Sequence, residues 1–424
     1  MDTIGIIDII KIKRAILKNI DKDLLSHGLE TAYITCMIAE ELEYTNKEIY
    51  YLSIGSFLHD IGAYKTEELN NIKQFEIADT GRHSVYGYVL LDQNKMMKDI
   101  APAILYHHHS YKEKDNYIDG VEIPEEAFLI GLSDKISMFC NILKYDKDKV
   151  KKYIYNMNMD SFHPKHVEVL YKLIEDKNLI ENIASSNYEE YLFNIIKNIK
   201  MDIEKIKEYL IFLPISIDFF SFETSLHTVS VSAMTKKICE KLSISETYKD
   251  KIELGAYLHD LGKVCTPREI LEKEGKLTVD EFKTMKRHVV YSKEILEEAG
   301  INEELISLAC NHHEKLDGSG YPNGLNENQL TLGDRIISVS DIFCALIEKR
   351  HYKKAFSKDE VLEILHDMVN LKYIDETIVN IIEKNYEEIF DFINKNRNNY
   401  ENTLNYMLRQ HKSMSTKMDR LGIY

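Results

Sequence analysis

Glycine and proline are scarce in this chain of 424 residues, at 17 and 6. Short alternating runs rich in Val and Thr between turn residues are nearly absent, which leaves little room for a sheet-based fold. The six cysteines, at 36, 140, 239, 265, 310 and 344, form no C-x-x-C pair. In a chain too large to need disulfide staples, they predict a reduced, cytoplasmic protein. Basic residues are outnumbered, 54 Lys and Arg against 70 Asp and Glu, and the net charge of −16 opposes non-specific binding to DNA, RNA or an anionic membrane. A long apolar run is missing too. The longest outside the N-terminus, 209–222, is interrupted by Pro214 and Asp218 and falls short of the roughly 20 residues a membrane span requires. The first twenty residues mix Asp and Lys into an apolar run without a small-residue cleavage site, so they read as an amphipathic helix and not as a signal peptide. No nucleotide-cyclase motif, receiver domain, helix-turn-helix or P-loop is present, so any further input or output is expected from another chain.

What the chain does have is apolar residues at steps of three and four between Glu and Lys, as in IEKIKEYLIFL and SKDEVLEILHDMV. That period predicts an all-α fold of helical bundles. The conspicuous break is DGSGYPNG at 317–324, expected as an ordered loop between helices. Long amphipathic stretches at 141–210 and 358–412 are expected to pack domains together, within one chain or between two chains of a homodimer, with core packing the simpler use.

An internal repeat organises the whole. GSFLHDIG at 55–62 recurs as GAYLHDLG at 255–262, and Arg82-His83-x-Val85-Tyr86 recurs as Arg287-His288-x-Val290-Tyr291. His27 precedes His59 by 32 positions, as His227 precedes His259, and His83 precedes His107 by 24, as His288 precedes His312. Ser133-Asp134 matches Ser340-Asp341, and Asn-Tyr-Glu-Glu recurs at 187–190 and 385–388. Two related helical domains are expected, 1–205 and 206–424.

The repeat preserves donors. In the second half these are His227, His259, Asp260, His288, His312, His313 and Asp341, all nitrogen and oxygen ligands without a thiolate. Such a set suits Fe, Mn or Zn. It exceeds what one tetrahedral ion takes, so at least two ions sharing a bridging carboxylate, Asp260, are expected, which is hydrolase machinery for a phosphoester. A single histidine on a helix is more often a packed or surface residue than a ligand; the matched spacing of two sets outweighs that reading.

With these residues in place, the second half resembles an HD-GYP domain of the HD metal-dependent phosphohydrolases over roughly 220–400. His259-Asp260-Leu261-Gly262-Lys263 is similar to the HDxGK signature, Gly275-Lys276-Leu277-Thr278 to its GKLT-like turn, and His312-His313-Glu314 with Asp317-Gly318-Ser319-Gly320-Tyr321-Pro322 to HHE…DGxGYP. The resemblance implies a helical enzyme that hydrolyses cyclic di-GMP to pGpG or GMP with two or three divalent ions, Fe or Mn first, with Zn, Ni or Mg as alternatives. Carried over, it adds Glu223, four residues before His227, to the metal ligands. It also implies that Lys263 contacts the scissile phosphate and that Arg350 and Lys353 hold the substrate phosphates. Gly320 and Tyr321 are expected beside the nucleotide, with loop packing the alternative for Tyr321. Glu314 reads either as support for a ligating histidine or as a surface carboxylate. Cys344 stands where Asp is usual, and His351 where Pro is usual.

The first half resembles only the broader HD superfamily. A second metal site there would use Asp23, His27, His59, Asp60, His83, His107, His108 and Asp134, but Ala63 replaces the lysine and SYKEKDNYIDGVEIP replaces the GYP loop. A regulatory or structural role is favoured. His109 is read as a bystander, and Lys112 or Lys114 substitutes for the lysine only if the loop folds back. His163, His166 and His411 are read as surface residues. Three rival readings stay open: a phosphohydrolase of another nucleotide such as cyclic GMP-AMP, oxygen chemistry at a mixed-valent di-iron site, and a non-catalytic cyclic-dinucleotide sensor.

Overall fold

A computed structural model of the chain describes residues 6–20, 22–61, 81–94, 97–112, 116–156, 161–196, 222–271, 273–348 and 355–421. The described residues are overwhelmingly helical. The helices are α1 (Ile6–Ile20), α2 (Lys22–Glu41), α3 (Asn46–Phe57), α4 (Gly81–Asp92), α5 (Ala101–Tyr106), α6 (Glu125–Ile142), α7 (Lys147–Asn156), α8 (Pro164–Asp176), α9 (Leu179–Ala184) and α10 (Tyr188–Ile196). They continue with α11 (Phe222–Lys241), α12 (Glu246–Leu258), α13 (Arg268–Leu271), α14 (Val279–Glu298), α15 (Glu303–Cys310), α16 (Leu332–Ile347), α17 (Lys358–Asn370), α18 (Glu376–Lys384) and α19 (Tyr386–Leu421). A 3-10 turn, Leu261–Cys265, follows α12. Among the described residues no helix is long and apolar enough to cross a membrane, and all six cysteines are free.

The chain forms two compact units, Met1–Ile20 with Met201–Asn405, and Asp21–Lys200 with Tyr406–Tyr424. They are called here the C-terminal and N-terminal units. A single cut at 205 therefore differs from this division at both termini. The reason for α1 is its apolar stripe: Ile9, Ile12, Ala15 and Ile16 are buried in one core with Val289, Leu261, Ile295 and Leu296. The helical period announces such a face, but not which core receives it.

Local chemistry sets the helix starts. Thr45 with Glu48, Thr278 with Glu281, Thr331 with Asp334 and Ser357 with Glu360 each form a capping box, in which two orphan amides are satisfied reciprocally. The GKLT segment is thus the cap of α14. Within the amphipathic stretch at 141–210 the described residues form separate helices, α7 to α10, with left-handed backbone at Lys144, Tyr145, Asn178 and Ser186. An antiparallel pair, β1 (Tyr117–Ile118) and β2 (Val121–Glu122), occupies the segment that lacks the GYP motif. Asp119 and Gly120 both have positive φ there, the signature of a tight hairpin turn.

Ile16→Ala should destabilise the C-terminal unit by about 2–5 kcal/mol, the range for emptying a buried aliphatic site. Urea unfolding is the measurement, and a loss well under 1 kcal/mol would mean that α1 does not belong to this core.

Candidate metal centres

Histidines at helix ends build both sites. In the C-terminal unit, His259 ends α12 and His312 follows α15, and their Nδ1–H groups donate to the carbonyls of Ala256 at 2.7 Å and Ala309 at 3.0 Å. His288, within α14, donates likewise to Met285 at 2.7 Å. A carbonyl only accepts, so the proton sits on Nδ1 and the Nε2 lone pair is free for a ligand. Gly262 closes the assembly: a Cβ there would lie 2.0 Å from the His288 carbonyl oxygen, and its amide donates to Ser292 Oγ at 2.7 Å. That close approach fixes the His259-Asp260 turn against the helix that carries His288.

The carboxylates complete the set. Asp260 lies 3.2 Å from His259 Nε2 and, through its other oxygen, 3.5 Å from His288 Nε2. Asp341, on α16, lies 2.8 Å from His227 Nε2, 4.0 Å from His259 Nε2 and 3.8 Å from His313 Nδ1. His288, His312 and His313 bring one ring nitrogen each to within 4.8 Å of one another. The Nε2 atom of His259 is buried and makes no hydrogen bond with any described residue. Facing a carboxylate oxygen at 3.2 Å, it sets two acceptors against each other, an arrangement that a proton or a metal ion between them resolves. The residues therefore fit divalent ions bound by nitrogen and oxygen.

Charge is distributed accordingly. Burial opposes ionisation of Asp260, but His259 and Lys263 hold it well below the usual carboxylate range. Burial also opposes ionisation of Asp341, which hydrogen bonding to His227 keeps low. Burial pushes His312 and His313 down, and His288 to about 4, so these rings are neutral at pH 7. Lys263 pairs with Asp260.

The N-terminal unit repeats the arrangement. His27 Nε2 lies 3.1 Å from Asp134, His59 Nε2 lies 3.3 Å from Asp60 and 3.8 Å from Asp134, and His83 Nε2 lies 3.3 Å from Asp60. His108 Nδ1 lies 3.9 Å from Asp134. His59 and His107 donate Nδ1–H to Ser56 at 2.7 Å and Ile104 at 2.6 Å, and the Nε2 atoms of both are buried without a hydrogen bond to any described residue.

Seven expected donors thus converge in each unit. The side chains of Asp23 and Glu223 lie outside the described residues, their backbone falling on α2 and α11. Arg350, His351 and Lys353 lie outside the described residues, as do Ala63 and Lys114; Lys112 is exposed. Gly320 is accounted for by packing: a Cβ would lie 2.4 Å from Glu314 Cα and Lys315 N. Tyr321 is half-buried against the His313 ring at 4.7 Å, with Lys286 Nζ 4.6 Å from its centroid. Glu314 corrects both of its sequence readings. It is buried and accepts from the amides of Asn323 at 2.6 Å and Leu325 at 2.9 Å, so it pins the GYP loop instead of supporting a histidine or facing water. The surface reading of His166 and His411 also fails, since His166 is fully buried and His411 stacks on Tyr86 at 3.5 Å.

Sequence reasoning missed Glu348. Buried at the end of α16, it lies 2.9 Å from His227 Nδ1 and 3.1 Å from Arg397. Cys344, one turn earlier, was the signal: the carboxylate missing there is supplied four residues on, from the same face of the helix. Despite burial, Glu348 and Asp341 together raise His227 to about 9.

Two family models, each described as HD domain, match residues 213–378 and 24–138. The chain is 26% identical over 388 residues to 3′3′-cGAMP-specific phosphodiesterase 1 of Vibrio cholerae, covering 88% of this chain and 90% of that one. It is 29% identical over 302 residues to a cyclic di-GMP phosphodiesterase of Thermotoga maritima, covering 70% and 76%. Among solved structures, a cyclic GMP-AMP specific phosphodiesterase of V. cholerae aligns with a TM-score of 0.55 at 19% identity, over 89% of this chain and 96% of that one, which is a likeness of fold.

Glu348→Gln should weaken metal retention in the C-terminal unit by about 10–100-fold, measured by chelator competition. In metal-free protein His227 has a raised folded pKa, so its contribution is full below its ordinary value of roughly 6.5 and is lost as the pH rises through about 9. The stability gap between wild type and Glu348→Gln should therefore narrow from pH 6 to pH 9.5; a gap independent of pH would exclude this coupling.

Proposed function

We propose that this chain, a protein of two HD domains whose second half carries the HD-GYP motifs, is a metal-dependent phosphodiesterase acting on a cyclic dinucleotide in its C-terminal unit, with cyclic di-GMP as substrate. The observation that supports this most is the joint placement of Asp260: one carboxylate oxygen pairs with Lys263 and faces His259, and the other faces His288. Divalent ions, two or three and of Fe or Mn type, supply Lewis acidity and water activation at neutral pH when bound to such a donor set. Their holders are His227, His259, Asp260, His288, His312, His313 and Asp341, with Glu223 joining if a third ion is present.

The remaining work falls to side chains. Asp260 stays ionised and orients the donors on both sides of it. Lys263, only part-buried beside it, exchanges this carboxylate for a phosphoryl oxygen of the substrate and stabilises the charge that develops there. Tyr321, docked on His313, offers an aromatic wall for a base, and Lys286 above it adds positive charge near a phosphate. Arg350 and Lys353 are assigned to the phosphates from their motif alone. The N-terminal unit keeps the donors but has a hairpin in place of the GYP loop and no lysine in its HD signature, which fits an ion-holding regulatory or structural domain.

A second reading is 3′3′-cyclic GMP-AMP as substrate. It is favoured by the relative named for that substrate, which aligns over most of the chain. Either dinucleotide presents the same phosphodiester to the centre, so the choice rests on the base pockets.

Metal-replete protein prepared without oxygen should turn over at least one of the two dinucleotides, resolved by chromatography. Lys263→Ala should lower kcat about 10²-fold with metal content unchanged, Asp260→Ala should abolish turnover, and Asp60→Ala should leave it largely intact. Loss with Asp60→Ala alone would move the active site to the N-terminal unit. Binding of a dinucleotide without turnover by the wild type would make the protein a sensor.

A further inference from the structure

A separate donor set lies at the start of α6, nine residues before Asp134 and so about 13 Å along the helix from the N-terminal unit's centre. Glu125 Oε1 lies 3.1 Å from His166 Nε2, and the rings of His163 and His166 meet with centroids 4.5 Å apart. One ligand atom from each of the three residues lies within 4.8 Å of the others. His166 is fully buried, and the Nδ1 atoms of both histidines are buried without a hydrogen-bond partner among the described residues. An unpaired buried ring nitrogen is costly, so two in adjacent rings call for a ligand. The segment His163-Pro164-Lys165-His166 opens α8 with Pro at the first helical position, which sets the chain direction and brings both rings to one side.

We propose that Glu125, His163 and His166 form a metal site for a borderline first-row divalent ion such as Zn2+, distinct from the two histidine–aspartate centres. Two imidazoles and one carboxylate are a recurrent zinc set that leaves a coordination position open. The Glu125 side chain is 49% exposed, so water and the ion reach the site from that side. Burial lowers His163 and pushes His166 down to about 4, which keeps both rings in the neutral form that ligates metal. The positive end of α8 opposes a cation only weakly, a smaller cost than leaving either buried nitrogen unpaired. A bound ion ties the start of α6, the helix that carries Asp134, to the start of α8.

The test reads His163 itself, so ions in the other centres do not enter. Full-length protein, with its other centres saturated with Mn2+, is treated with diethyl pyrocarbonate over a Zn2+ titration, and modification of His163 is followed by peptide mass spectrometry. Zn2+ should slow that modification at least about tenfold, and Glu125→Gln, which keeps a hydrogen-bonding group at an exposed position, should raise the Zn2+ needed for half-protection by about tenfold or more. Equal modification with and without Zn2+ in the wild type, or equal protection in Glu125→Gln, overturns the proposal.

Discussion

The bond from an imidazole Nδ1–H to a backbone carbonyl three residues earlier governs both centres. His59, His107, His259, His288 and His312 all make it. Four of the five stand at the C-terminal ends of helices, where the last carbonyls lack amide partners and the negative end of the helix dipole favours cations. One arrangement thus satisfies an orphan acceptor, fixes the tautomer and aims Nε2 inward. The carboxylates depend on these rings in turn: burial opposes ionisation of Asp60, Asp134, Asp260 and Asp341, and the neighbouring histidines, joined by Lys263 at Asp260, hold them low.

The duplication shows what drifts around this constraint. Corresponding donor distances in the two units differ by only a few tenths of an ångström, 3.3 against 3.2 Å for the HD dipeptide and 3.9 against 3.8 Å for the last histidine and its aspartate. The support behind the first histidine has instead been rebuilt. His27 Nδ1 meets Ser137 Oγ at 3.0 Å, and that hydroxyl donates to Glu30 at 2.8 Å. In the C-terminal unit the position matching Ser137 is Cys344, the position matching Glu30 is Ser230, and the carboxylate comes from Glu348. A charge that opposes the first histidine is retained while its address moves between two packed helices. Ligands must meet a metal and tolerate little displacement, whereas the partner of a ligand needs only to reach one ring nitrogen.

That difference also explains what the sequence could disclose. The donors were legible because their chemistry restricts residue type and the repeat displays their spacing twice. The helical class was legible from the 3.6 period. Glu348 was not, because it meets His227 across 121 positions of chain and carries no motif; the hint lay in the aspartate missing at Cys344. Glu314 was misjudged because HHE reads as a ligand motif, whereas its carboxylate satisfies two loop amides that only the folded GYP segment brings to it. The hairpin at Asp119-Gly120 had its turn signal in the sequence, but strands of two residues leave no periodicity to detect. The placement of α1 follows from complementarity between a stripe and a core, which no single helix encodes.

On the proposed function an acidic chain receives a polyanion, which requires its attraction to be local. At physiological ionic strength the field of the outer carboxylates is screened beyond about 8 Å, so the net charge of −16 sets solubility more than it opposes a ligand already at the site. Lys263, the cation beside the centre, is already paired with Asp260. A phosphate that took Lys263 would leave Asp260 without its partner in a buried setting, a loss that divalent ions held by Asp260 and its neighbouring histidines would compensate. On the proposed function, substrate binding and the loading of divalent ions would therefore be coupled through Asp260.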